Sequence, residues 1–319
     1  MNPDVAEAVA ALERHGTLSA EQARLFGRVA RRELVSVHAE LRLLAYAGVL
    51  IAMAGVGLLV HENRERIGPL AIVSTLALAA LVCFVWVARH TPAFTWAEAP
   101  QNHLAYDYVL LLGALLTTAE LAYVEATFTP LGESWPWQLL IVALFYAALA
   151  LRCDSRVMLS LALTSFAAWR GVSAAGLQHA FWRGNPDLVR ANAAACALAF
   201  LALGALLRAR SWKPHFEPVT AHLGWLLLLG AVASALTTEA GAAWALALIG
   251  LAALVAYVGY RQRRFTLLAL GLVAAYVGVS ALAVRATHGD AILFWWFSLT
   301  PLGLLAALFV AHRVLREPV

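Results

Sequence analysis

Apolar runs of bilayer length, parted by short polar breaks, follow one another from Leu43 almost to the end of the chain. A helix needs about 20 mostly apolar residues to cross the hydrocarbon core. In lipid no water is available to the backbone, so each spanning segment bonds its own amides as a helix. This pattern predicts an all-α fold, a polytopic transmembrane helix bundle of about ten spans. They are expected at 43–60, 69–88, 107–128, 137–151, 156–174, 191–207, 221–238, 242–260, 265–284 and 291–311. The fourth and fifth are parted only by Arg152-Cys153-Asp154-Ser155-Arg156. That pentapeptide is too polar for hydrocarbon and reads as a tight hairpin.

Composition agrees. Hydrophobic residues make up 62% of 319 positions and charged residues 13%, against about 45–50% and about 25% in soluble domains. Cys83, Cys153 and Cys196 are scattered and form no C-x-x-C pair, so neither a disulfide framework nor a cysteine zinc site is expected. No metal and no cofactor is expected. The net charge of +4 rests almost entirely on arginine, Lys213 being the one lysine. A balance so modest suits anionic lipid headgroups and gives no case for nucleic acid.

Residues 1–41 read as a charged helical hairpin ahead of a transmembrane domain at 42–319. Val5, Ala8, Val9 and Leu12 lie on one helix face, and His15-Gly16-Thr17-Leu18 breaks it. Ser19 and Gln22 have the spacing of a capping box for a second helix. The hairpin is expected to lie on headgroups, with docking of a protein partner as the sharper alternative. No cleavable signal is expected, because the first apolar run begins only near Leu43 and is long enough to remain in the membrane.

Ten spans with the N-terminus inside put 17 of the 23 Lys and Arg residues on the cytoplasmic side and 6 on the other, Arg170 within the outer half of the fifth span being counted with the latter. The bias predicts both termini in the cytoplasm. A weak parallel repeat of spans 2–5 and 6–9 is also suggested. At an offset of 107 residues, Arg156, Leu161, Ala167 and Trp169 align with Arg263, Leu268, Ala274 and Tyr276. Chance alignment of alanine- and leucine-rich helices explains it equally well.

Catalytic signatures such as H-E-x-x-H, G-x-S-x-G and a P-loop do not occur. The ten histidines fall mostly at span ends, where a solvated residue is the ordinary reading. The signal with chemical content is charge inside the membrane, since an unpaired charge there costs at least about 2.5–3.5 kcal/mol. Glu120 lies inside the third span on a polar stripe with Thr117 and Tyr123. Arg170 lies at matching depth inside the fifth, so these residues form a candidate intramembrane polar site with Glu120 and Arg170 as partners. A pair that merely pins helices together is the competing reading. Glu125, His179, Arg183 and Asp187 form a candidate outer-face cluster.

Three segments carry a family likeness: Gly16-Thr17-Leu18-Ser19-Ala20-Glu21-Gln22-Ala23, Leu41-Arg42-Leu43-Leu44-Ala45-Tyr46-Ala47-Gly48 and Leu111-Leu112-Gly113-Ala114-Leu115-Leu116. With the layout, they resemble the bacterial membrane proteins grouped as "domain of unknown function 2157". One departure is Asn63-Arg64, where relatives tend to show Asn-Trp. The resemblance implies a bacterial inner-membrane location and lends no catalytic residues. Three functions follow in order of preference: a non-enzymatic accessory or scaffold component, a small-solute transporter or channel, and an intramembrane enzyme.

Overall fold

Alanine and leucine, both strong helix formers, fill the apolar runs, and each run is a helix in the computed structural model. It describes residues 19, 21, 22, 26, 38–99, 105–175, 186–287 and 290–316. Ten α-helices are present among the described residues, and no strand. They are α1 (His38–Ile67), α2 (Pro69–His90), α3 (Tyr106–Phe128), α4 (Pro136–Cys153) and α5 (Arg156–Ala175). Then come α6 (Pro186–Arg210), α7 (Glu217–Ala233), α8 (Gly241–Arg261), α9 (Phe265–Ala286) and α10 (Asp290–Arg316). Each matches one expected span.

Eight of the ten are long and apolar enough to cross a membrane. α1 contributes a shorter apolar stretch, Leu44–Val60. α5 is the more polar, with Ser160, Thr164, Ser165 and Arg170 along it. The seventh span needs a correction. Hydropathy carries it to 238, but α7 begins at Glu217 and ends at Ala233. Residues 234–240 are wound as turns instead, and Arg285 donates to the carbonyls of Leu236 (2.6 Å) and Thr238 (2.9 Å).

Most of the expected N-terminal hairpin lies outside the described residues. Its capping box is visible: the Ser19 N–H donates to Gln22 Oε1 (3.0 Å) and the Gln22 N–H to Ser19 Oγ (3.2 Å).

The chain divides into two compact units, residues 1–72 and 73–319. In the first, α1 stops at Gly68, whose φ of +80° favours glycine, and Pro69 opens α2. In the second, α4–α5, α6–α7 and α8–α9 pack as close antiparallel hairpins, and α5 also packs on α6. Leu229, Leu248, Ala252, Val255 and Ala274 form a buried cluster across α7, α8 and α9. Leu78, Leu144 and Leu246 point outward and are more than half exposed, which is solvent contact when the solvent is lipid.

Small residues set the tightest contact. A Cβ on Gly271 of α9 would lie 2.6 Å from the Ala256 amide nitrogen and 2.7 Å from the Ala252 carbonyl oxygen of α8. A Cβ on Gly278 would lie 2.8 Å from Ile249 Cγ1. Without a hydrophobic drive between helices in lipid, such backbone approach supplies the packing energy.

Candidate functional site

The α4–α5 hairpin turns where Asp154 adopts φ +56°, a left-handed conformation that aspartate tolerates better than most residues. The turn carries the Asp154 carboxylate into the protein rather than into solvent, and the residue is 7% exposed. The α6–α7 connection supplies its partners. Lys213 precedes Pro214, which disfavours the helical conformation at that position, and takes φ +42°. Its N–H donates to the Trp96 carbonyl in the segment after α2 (2.8 Å).

Lys213 Nζ donates to Asp154 Oδ1 at 2.6 Å, and His215 Nε2 lies 2.9 Å from the same oxygen. The Ala99 N–H donates to Oδ2 at 2.6 Å. One carboxylate thus ties together the α2–α3, α4–α5 and α6–α7 connections, and all three lie on one face of the unit. The Lys213 ammonium also sits 5.1 Å from the Phe94 ring centre and 5.8 Å from that of Phe216, within cation–π range.

Burial alone would raise the Asp154 pKa. The Ala99 N–H, the Lys213 ammonium and the nearby His215 outweigh that effect and hold it below the usual carboxylate value. His215 Nδ1 and Ser155 Oγ are buried with no hydrogen-bond partner among the described residues. In a neutral imidazole that donates Nε2–H to a carboxylate Nδ1 is an acceptor, whereas in an imidazolium both nitrogens donate.

Around this tie the face is polar and aromatic. Arg156 pairs with Glu98 at 2.7 Å, but both side chains are exposed, so the pair adds little. Trp96 stacks on Trp212 with centroids 5.3 Å apart, and Phe94 meets Trp96 edge-on. Across α7, Arg264 grips both carboxylate oxygens of Glu217, and His222 bonds Thr266. These contacts bring the α8–α9 turn to the same face. Beside Glu217 a cleft of about 410 Å³ opens between α6, α7 and the α8–α9 hairpin.

The residues singled out from sequence are distributed differently. Glu120 and Tyr123 are half-buried on α3, and Thr117 spends its hydroxyl on the Gly113 carbonyl (3.0 Å). No ion pair joins Glu120 to Arg170 among the described residues. Arg170 instead donates to Asn192 Oδ1 of α6, because α5 packs on α4 and α6 far more than on α3. In the outer-face group, Glu125 accepts the Leu131 N–H (3.1 Å) and Asp187 pairs with Arg190 (2.6 Å). His179 and Arg183 lie outside the described residues. Among the described residues no three His, Cys, Asp or Glu side chains gather into a group that could hold a metal.

Sequence reading misses the Asp154 tie. It takes Asp154 for one residue of a polar hairpin and the histidines for solvated span ends, whereas His215 is only 9% exposed. One signal is present: the sole lysine of an arginine-rich chain sits in Trp212-Lys213-Pro214-His215.

Apolar helices of spanning length, tied on one face by buried polar groups, define a polytopic α-helical membrane protein. Residues 6–159, just under half of the chain, match the family model described as "Predicted membrane protein (DUF2157)". The match takes in Asp154 and ends before Lys213 and His215. No curated protein and no solved structure matches the chain.

Proposed function

We propose that this protein is a non-enzymatic accessory or scaffold component of the bacterial inner membrane, with both termini in the cytoplasm. The observation that carries the reading is the Asp154 tie. It spends the one lysine, a histidine and a backbone amide on holding three connections as a single plate. On that plate Phe94, Trp96 and Trp212 are 49%, 53% and 40% exposed, with Arg210 against Trp212. Rigidly presented Trp and Arg side chains are the residue types that dominate protein–protein contacts. The plate carries the connections that the arginine bias assigns to the cytoplasm.

The test is purification of the full chain in mild detergent with interacting molecules retained, alongside the Trp96→Ala/Trp212→Ala variant. A stoichiometric protein partner is expected with the parent chain and not with the variant, at equal melting temperature. Solute binding or uptake in reconstituted vesicles that depends on Glu120 and Arg170 would overturn the reading in favour of transport. For the orientation, Ser211→Cys should label from the cytoplasmic side and Ser134→Cys from the outer side, in a background lacking the three native cysteines.

A further inference from the structure

The cleft beside Glu217 changes character with depth. Its floor is one stripe of α7: Glu217, Ala221 and Trp225, spaced four residues apart. One wall is the Leu201 and Arg208 side of α6, and Val258 and Gln262 form the other. Glu217, Arg208 and Gln262 all stand at helix ends on the plate face. Trp225 lies eight residues into α7, about 12 Å deeper, and Leu201 about 10 Å deeper than Arg208. The cleft is therefore polar at the membrane surface and apolar beneath it, as an amphiphile is. Its volume of about 410 Å³ falls within the ~300–1,000 Å³ of small-molecule sites.

Charge selects the amphiphile. Both Glu217 oxygens accept from Arg264, which neutralises that carboxylate and weakens its pull on a cationic headgroup. Arg208 is exposed and has no ion-pair partner among the described residues. Together with the Gln262 amide it leaves the mouth of the cleft with one uncompensated positive charge and free N–H donors. A phosphodiester satisfies both.

We propose that this cleft binds an anionic phospholipid, its phosphate on Arg208 and Gln262 and one acyl chain along Leu201, Trp225 and Val258. The site does not depend on whether the protein is a scaffold or a transporter, nor on which way the termini face.

The test uses the full chain in nanodiscs, with phosphatidylglycerol or phosphatidylcholine carrying brominated acyl chains as fluorescence quenchers. The part of the signal lost in Trp225→Phe reports Trp225. Brominated phosphatidylglycerol should quench that part at about one-fifth the mole fraction that phosphatidylcholine needs, the preference expected for one arginine near a headgroup. Arg208→Gln, at an exposed position, should bring the ratio close to one without changing the melting temperature. Equal quenching by the two lipids would mean an unselective lipid annulus and would overturn the proposal. A preference unchanged in Arg208→Gln would overturn the assigned headgroup contact. Glycerol 3-phosphate abolishing the preference at millimolar concentration would mean a site for free phosphate esters, which also overturns it.

Discussion

Lys213 Nζ lies 2.6 Å from Asp154 Oδ1, with the two side chains only 2% and 5% exposed. Two residues 59 apart in sequence thus lock the α4–α5 turn to the α6–α7 connection. Removing one partner of a buried ion pair strands the other charge, at a cost of about 3–5 kcal/mol. Asp154→Asn and Lys213→Met should therefore each lower the melting temperature in detergent sharply. The double variant Asp154→Asn/Lys213→Met should lose clearly less than the two losses combined, because no charge is left stranded. Additive losses would mean that the two groups do not depend on each other.

The same tie predicts an acid response. The Asp154 pKa is depressed in the folded state, below its unfolded value of about 3.9. Its contribution is then fully present above about pH 4 and is lost as pH falls through the lower folded value. The imidazole of His215 bonds the same Asp154 oxygen, so the comparison belongs in a His215→Gln background. There, the stability difference between the chain that keeps Asp154 and the one carrying Asp154→Asn should stay flat from pH 7 to 5 and shrink below pH 4. A difference that shrinks between pH 7 and 5 would contradict the depressed pKa.

Glycines in α8 and α9 should respond with opposite signs. At Gly271 a methyl group would meet the α8 backbone at Ala252 and Ala256, which cannot yield without parting the helices. Gly271→Ala should destabilise, and Gly271→Leu should do so more. At Gly250 a Cβ meets nothing within 4 Å, so Gly250→Ala should gain up to about 1 kcal/mol from helix propensity. Thermal unfolding in detergent reads both, and equal effects at the two sites would undo the assigned α8–α9 packing.

The helices are legible in the sequence because lipid imposes a length and a polarity on every span, and each of the ten expected segments is a helix. Their polar contacts are not. Hydropathy locates Arg152-Cys153-Asp154-Ser155-Arg156 as a break but cannot say that the φ of Asp154 aims its carboxylate inward. Depth matching places Glu120 and Arg170 at one level, yet lateral neighbours depend on how hairpins dock. The side chain that meets Arg170 comes from Asn192, on a helix that begins beyond residues 176–185. The alanine- and glycine-rich face of α9 is readable, since close approach needs small residues whatever the partner.

The partner of Arg170 can be decided by double-mutant comparison. Asn192 is held by its own bond to the Leu188 carbonyl (3.1 Å), which aims its Oδ1 at the Arg170 guanidinium. Truncating either side chain removes the same contact, so Arg170→Gln and Asn192→Leu should be non-additive by about 0.5–3 kcal/mol. Glu120 stands on α3, away from the α5–α6 contact, so Glu120→Gln and Arg170→Gln should add within about 0.5 kcal/mol. Melting temperatures of the three single and two double variants in one detergent supply the comparison. Coupling between Glu120 and Arg170, with none between Arg170 and Asn192, would restore the intramembrane charge pair read from sequence. It would also make transport the stronger reading, because the paired charges would then lie at matching depth within the membrane.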